Sequence, residues 1–224
     1  MDLQEAMRAR HSVRSYTDRP IPEQLRIRLE EEVAACNAQG DLRIRLLTEE
    51  PKAFGGMMAH YGKFTGVKNY FAVVGKKSED LYERAGYWGE RLVLTAQSLG
   101  LNTCWVALTF SKRLAKKALG LARGEKLVCA IALGYGETQG TAHKNKSFEQ
   151  VCGEKDPPAW FSAGIEAALS APTAMNQQHF FFSREGERGV RVRSTGGFYA
   201  KLDLGIVRYH FELGAGRENF EWVE

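Results

Sequence analysis

The chain has 224 residues, enough to bury a full core as one domain or two small ones. Its formal charge is +4 at pH 7 and its basic residues are scattered, which argues against nucleic acid as a partner and leaves room for a local anionic ligand. No run approaches the apolar length of a membrane span, and the charged start MDLQEAMRARHSVR is unlike a signal peptide, so a cytoplasmic protein is expected.

In chain order, Asp2 and Glu5 form a capping box for a short helix that ends near Arg10. Pro20 and Pro22 introduce a second helix, with Leu25, Leu29, Val33 and Cys36 on its core face and Gly40 at its end. Residues 42–47 alternate apolar and basic, a strand with one wet face. Residues 52–60 form a short helix and 61–66 a loop with two glycines. The apolar run 70–74 is an internal strand, and Ser78 is expected to cap the long helix that follows.

That helix and its exit, GYWGERLVLTAQSLGLNTCWV from Gly86 to Val106, organise the chain. Trp88, Leu92, Ala96 and Leu99 share one face, and Gly86, Gly89, Val93 and Ala96 make a small-residue strip that another backbone could approach. Gly100 suits the left-handed turn that ends a helix. A strand at 103–108, a helix at 111–119 and a buried strand at 126–133 follow, then a polar segment at 141–147.

The last third holds a helix from Pro158 to Leu169, a loop at 171–178, strands at 179–183 and 190–193, a helix at 202–213 ended by Gly214, and a short strand at 220–223. Its order of helix, strand, helix, strand echoes the first part, a weak half-repeat. No flexible linker separates the halves, so one shared core is expected, with 1–152 as the main half and 153–224 as a second half-unit.

Three stretches carry candidate chemistry. Arg10, His11, Ser12 and Arg14 follow a helix end, where two guanidinium groups and a hydroxyl suit a phosphate; a solvated basic turn is the plainer alternative. Lys144 and Lys146 point the same way on extended chain and could close the other side, or belong to a wet loop. Pro172, Thr173, Asn176 and Gln178 place neutral donors and acceptors where they could read a heterocycle edge, or simply connect helix to strand. The Gly134–Gly140 run resembles part of a dinucleotide fingerprint, but no apolar period follows to make its helix. Four cysteines without CxxC spacing are read as reduced, mostly buried residues, and five histidines without a ligand-spaced pair give no metal site.

Taken together, RHSVR, ERLVLTAQSLGLNTCWVAL and AIALGYGE followed by HKNKSFEQV resemble the nitroreductase family of flavin enzymes, over roughly residues 1–152. The resemblance implies an α+β fold with a central, mostly antiparallel sheet flanked by helices. It implies FMN as cofactor and NAD(P)H as co-substrate, with hydride passed to a quinone, nitroaromatic or similar small molecule. Arg10, His11, Ser12 and Arg14 would hold the phosphate with Lys144 and Lys146 opposite. Lys63 or Lys68 would stabilise the reduced ring, the Thr103, Cys104, Trp105 strand would pack along it, and Asn176 and Gln178 would read its pyrimidine edge. The flavin carries the chemistry, so no catalytic side chain is required.

One departure stands out. The family's PSxxNxQPW loop belongs near residue 36, where this chain reads Ala35 to Gly40 without a proline; its counterpart is Pro172 to Gln178. The implied arrangement is a monomer whose last third supplies what a partner subunit supplies elsewhere, with a homodimer as the rival. Two other classes stay open: an FMN- or nucleotide-binding protein without turnover, and a cofactor-free α/β interaction domain.

Overall fold

The computed structural model describes residues 1–223. Asp2 caps helix α1 (Leu3–Ala9): it accepts the Glu5 N–H at 2.8 Å while Glu5 accepts the Asp2 N–H at 3.0 Å. Helix α2 (Glu23–Gly40) buries Leu29, Val33 and Cys36. It keeps Gly40 inside its last turn, and Asp41 takes the left-handed conformation instead. The reason is packing: a Cβ on Gly40 would collide with the Trp88 indole. Strand β1 covers only Arg45–Leu47 of the expected 42–47. A 3-10 turn at Pro51–Phe54 and helix α3 (Met57–Tyr61) divide the expected 52–60 helix at the Gly55–Gly56 pair.

Strand β2 (Asn69–Lys76) leads into helix α4 (Leu81–Ser98). Ser78 does not cap it. Asp80 holds the cap position, the Ser78 hydroxyl donates to its carboxylate at 2.6 Å, and Arg84 Nε donates to the same carboxylate at 2.8 Å. Gly100, at φ 79°, closes the helix and feeds strand β3 (Asn102–Val106). Helix α5 (Lys112–Leu119), capped by Ser111, precedes strand β4 (Glu125–Gly134).

These strands form one antiparallel sheet in the order β1-β2-β4-β3. Alternation sends Phe71 and Val73 into the core shared with the helices, and Tyr70, Ala72 and Val74 into a second cluster with Phe54, Phe64 and Phe110. Covering both faces explains the continuous apolar run in β2. The segment after α1 lies beside β3: Ser12 bridges Thr103 in parallel, and the Val13 N–H donates to the Thr103 carbonyl at 3.0 Å.

Helices α6 (Phe148–Val151) and α7 (Ala159–Leu169) follow, then strands β5 (Phe180–Glu185) and β6 (Gly189–Ser194), helix α8 (Ala200–Ala215) and strand β7 (Glu221–Trp222). The three strands make a separate sheet, with β6 and β7 parallel. Helix α8 runs past Gly214 to end at Gly216, φ 77°; Gly214 instead lets Ala163 of α7 come close. So α4 and α8 are each followed by a glycine of positive φ, Gly100 before β3 and Gly216 before a 3-10 turn at Arg217–Asn219 that leads into β7.

The two helices also cross through glycine. A Cβ on Gly86 would strike the Leu202 carbonyl oxygen, and one on Gly205 the Glu83 carbonyl oxygen. Each glycine thus meets the backbone three residues before the other, a reciprocal contact of the kind a two-fold interface makes. Around it, Leu92 and Val93 of α4, Ile165 of α7 and Ile206 and Phe211 of α8 share one buried cluster.

Gly205→Ala should therefore lower the unfolding free energy by about 2–3 kcal/mol in urea titrations. Gly55→Ala, at φ −86° with its nearest neighbour in ordinary van der Waals contact, should change it by less than about 0.5 kcal/mol. Equal effects would remove the crossing's special role.

Candidate functional site

A cavity of about 350 Å³ opens where the two parts of the chain meet. Ser12 and Arg14 line it, with Cys104 to Leu108 at and beyond the end of β3, Cys129 of β4, Pro172 to Met175, and Phe198, Tyr199, Leu202, Asp203 and Ile206 at the start of α8. Most of this lining is apolar. Leu108, Met175 and Phe198, all on its lining, are 63%, 84% and 75% exposed. Arg14 is the one cationic lining residue and Asp203 the one carboxylate.

Of the residues singled out in the sequence, Ser12, Arg14, Cys104, Trp105, Pro172 and Thr173 come together in this cavity. Thr103 is buried behind the wall, paired with Ser12. Arg10 is buried, its Nη2 making a long 3.5 Å contact to the Ser170 carbonyl, while its Nε has no partner. Burial lowers its pKa, opposed by the nearby Glu90 carboxylate. His11 is half-buried, and its pKa is lowered by burial, then by Arg10 and His143. His143 Nε2 lies 3.4 Å from the same Ser170 carbonyl, so two basic groups converge on the end of α7.

The remaining candidates lie off the wall. Lys63 is exposed outside the cavity, and Lys68 pairs with Asp18 at 2.9 Å. Lys146 is tied to Gln178, its Nζ donating to that residue's carbonyl at 2.8 Å and its N–H to the side-chain oxygen at 2.7 Å. The Gln178 amide also donates to the Leu169 carbonyl at 3.1 Å and to Asn145 Oδ1 at 3.2 Å. Asn176 Nδ2 donates to the carbonyl of the exposed Lys144 at 2.8 Å. Asn176, Gln178, Lys144 and Lys146 thus knit two loops into one support for Pro172–Met175. Met175, Asn176 and Gln178 all take left-handed φ, a cost the knitting maintains.

Several cavity residues had not been singled out. Phe198 and Tyr199 follow the pair Gly196–Gly197, an aromatic couple after a flexible turn that could have been noticed. Asp203 carried no such signal, since an acid in a helix's first turn is ordinary. Here it is buried in the cavity wall, accepts the Ala174 N–H at 3.0 and 3.1 Å, and has its pKa pushed up to about 7 by burial, with the Ala174 bond opposing. Among the described residues no group of three or more His, Cys, Asp or Glu is placed to hold a metal, and no helix is long and apolar enough to cross a membrane.

Because Asp203 holds its proton more tightly folded than unfolded, ionising it disfavours the fold. Its contribution is full below about pH 4 and is lost as pH rises towards 7, a loss on the order of 3 kcal/mol. Asp203→Asn keeps an acceptor for Ala174 and should flatten the fall in stability between pH 4.5 and 7.5 measured by urea unfolding. An unchanged slope would mean that Asp203 is not the group that titrates.

A family model described as "Putative TM nitroreductase" matches residues 2–215. A putative nitroreductase from Thermotoga maritima MSB8 is 22% identical, with a TM-score of 0.69 over 97% of this chain and 85% of that one. A putative nitroreductase from Desulfovibrio desulfuricans, in complex with FMN, is 23% identical with a TM-score of 0.55, over 70% of this chain and 99% of that one. An FMN-dependent nitroreductase from Clostridium difficile R20291 is 15% identical with a TM-score of 0.51, over 62% of this chain and 90% of that one. At these identities the likeness is one of fold. The Desulfovibrio chain is matched almost whole by 70% of the present chain, so part of this chain lies outside that match. No curated protein matches the sequence.

Proposed function

The chain belongs to the TM nitroreductase family, a nitroreductase-type oxidoreductase family, and on that premise we propose that it binds FMN in the cavity beside β3 and passes hydride from NADH or NADPH to a small quinone, nitroaromatic or similar acceptor. The observation that carries this reading is the junction of a segment bearing a hydroxyl and a guanidinium with an apolar slot in one cavity. Ser12 and Arg14 offer a hydroxyl and a forked guanidinium to a phosphate, and Cys104, Trp105 and Val106 offer an apolar wall to a planar ring. Nearby, the unpartnered Nε of Arg10 is a buried donor with unused capacity. FMN, when bound, supplies the two-electron chemistry, and the protein supplies binding, orientation and electrostatics.

Each part of the chain then has a task. Arg14 would hold the phosphate by charge. The Gln178–Lys146 knot fixes Pro172–Thr173 in the cavity wall, where they would border the flavin. Leu108, Met175 and Phe198 shed water from the mouth and accept an apolar reactant. Lys63 and Lys68, the latter paired with Asp18, lie off the cavity lining, and the cation on the wall is Arg14.

The same reading makes the protein a monomer that imitates a dimer, with residues 153–224 in the partner's role. It is supported by the reciprocal Gly86–Gly205 crossing and by a cavity walled from both parts of the chain. Light scattering on the eluting protein should give one chain per particle; a dimer that separates only on unfolding would overturn this arrangement.

Arg14→Ala should raise the FMN dissociation constant roughly ten- to hundredfold in a fluorescence titration, while riboflavin, which lacks the phosphate, changes less than about threefold. Equal losses for both ligands would place the phosphate elsewhere, and a wild-type protein that takes up neither would refute the flavin reading.

A further inference from the structure

The cavity's aromatic wall is tied to a polar cluster in the middle of the protein. Trp105 Nε1 donates to Glu90 Oε2 at 2.8 Å. The other oxygen, Glu90 Oε1, lies 2.9 Å from His210 Nε2. His210 Nδ1 lies 3.1 Å from the Ala167 carbonyl and 3.1 Å from Ser170 Oγ, which itself donates to Ala167 at 2.7 Å. Glu90 and His210 are both fully buried, on helices α4 and α8. Next to Glu90, Gly89 leaves the space that the Trp105 ring occupies.

Hydrogen-bond chemistry fixes the proton count. A carbonyl only accepts, so Nδ1 of His210 carries a hydrogen directed at Ala167 and Ser170. The short Nε2···Oε1 contact then needs one further proton, on either atom, and the pair is neutral overall in both placements. That satisfies a buried carboxyl and a buried imidazole without adding net charge to the core, where the buried Arg10 guanidinium already lies near Glu90. A carboxyl costs much to bury and a glutamine or a leucine would fill the space, so a dedicated partner from α8 calls for an account. The one group through which the pair reaches the cavity is the Trp105 indole.

We propose that Glu90 and His210 are positioning residues that lock Trp105 as the fixed wall of the cavity, with His210 of the second half-unit setting a first-half residue that faces the ligand. The link to cofactor affinity rests on the flavin reading above; the locking of Trp105 does not. Because the lock spans α4 and α8, closing the helix crossing also shapes the site.

The test combines an arm on free protein with one on FMN binding. The Trp105 indole ¹H–¹⁵N resonance, identified by its absence in Trp105→Phe, should be slow to exchange with solvent in the wild type. Glu90→Gln should keep it so, because a glutamine accepts from the indole and donates to a neutral His210; Glu90→Leu should raise its exchange rate at least about tenfold. In FMN titrations, Glu90→Leu should weaken binding roughly tenfold or more in the wild-type background and hardly at all on top of Trp105→Phe, the non-additivity expected of coupled groups. If Glu90→Leu does not fold, Trp105→Phe alone decides the binding arm, since it leaves the buried pair intact and should still weaken FMN several-fold. An indole that exchanges equally slowly in Glu90→Leu, a Glu90→Gln variant as impaired as Glu90→Leu, or a Trp105→Phe variant that binds FMN like the wild type would overturn the proposal. A wild type that binds no FMN would fault the flavin reading, and the exchange arm would still judge the lock.

Discussion

The crossing of α4 and α8 at Gly86 and Gly205 sets the rest of the architecture. Two helices can approach this closely only where neither carries a side chain, and here each glycine lies on the other helix's backbone. With α4 and α8 so close, α7 is drawn onto α8 through Gly164 and Gly214, and α2 onto α4 through Gly40 and Trp88. The main sheet packs on one side of this layer, and the small β5-β6-β7 sheet belongs to the later part of the chain. The cavity follows from the same geometry, because the crossing carries the start of α8 and the loop before β5 over the end of β3.

A reciprocal helix crossing is what two identical subunits produce at a two-fold axis. On the proposed single-chain reading, covalent linkage of both contributors to the cavity would remove a dependence on concentration. The first part carries the four-stranded sheet and the RHSVR segment, and the second carries α7, α8, the three-stranded sheet and the loop that closes the cavity. Polar groups buried between α4 and α8, Glu90 and His210 foremost, then come from different halves and can be matched to each other as unlike partners.

Much of this was legible in the sequence because it rests on local rules. The capping box at Asp2, Gly100 at a helix end, the apolar run of β2 and the small-residue strip on α4 each have a mechanism confined to a few residues. Expectations went astray where tertiary contacts decided. Gly40 and Gly214 read as helix stops, but their lack of a side chain serves Trp88 and Ala163. Ser78 read as a cap, and Asp80 took the place by joining Arg84. In the site, Ser12, Arg14, Cys104, Trp105, Pro172 and Thr173 could be gathered from motifs. Lys146 and Gln178 could be found but not assigned, since their mutual bond depends on two loops far apart in sequence. Asp203 and the Glu90–His210 pair were invisible, because an acid or a histidine on a helix gives no sign of what faces it.

The most direct test is the visible spectrum of the FMN-loaded protein, recorded anaerobically before and after NADH or NADPH and again after a quinone or nitroaromatic is added. The account predicts that the oxidised flavin bands bleach with one of the two nucleotides and return with the acceptor. Bands that persist in the presence of both nucleotides would contradict it, leaving a flavin-binding protein that does not turn over.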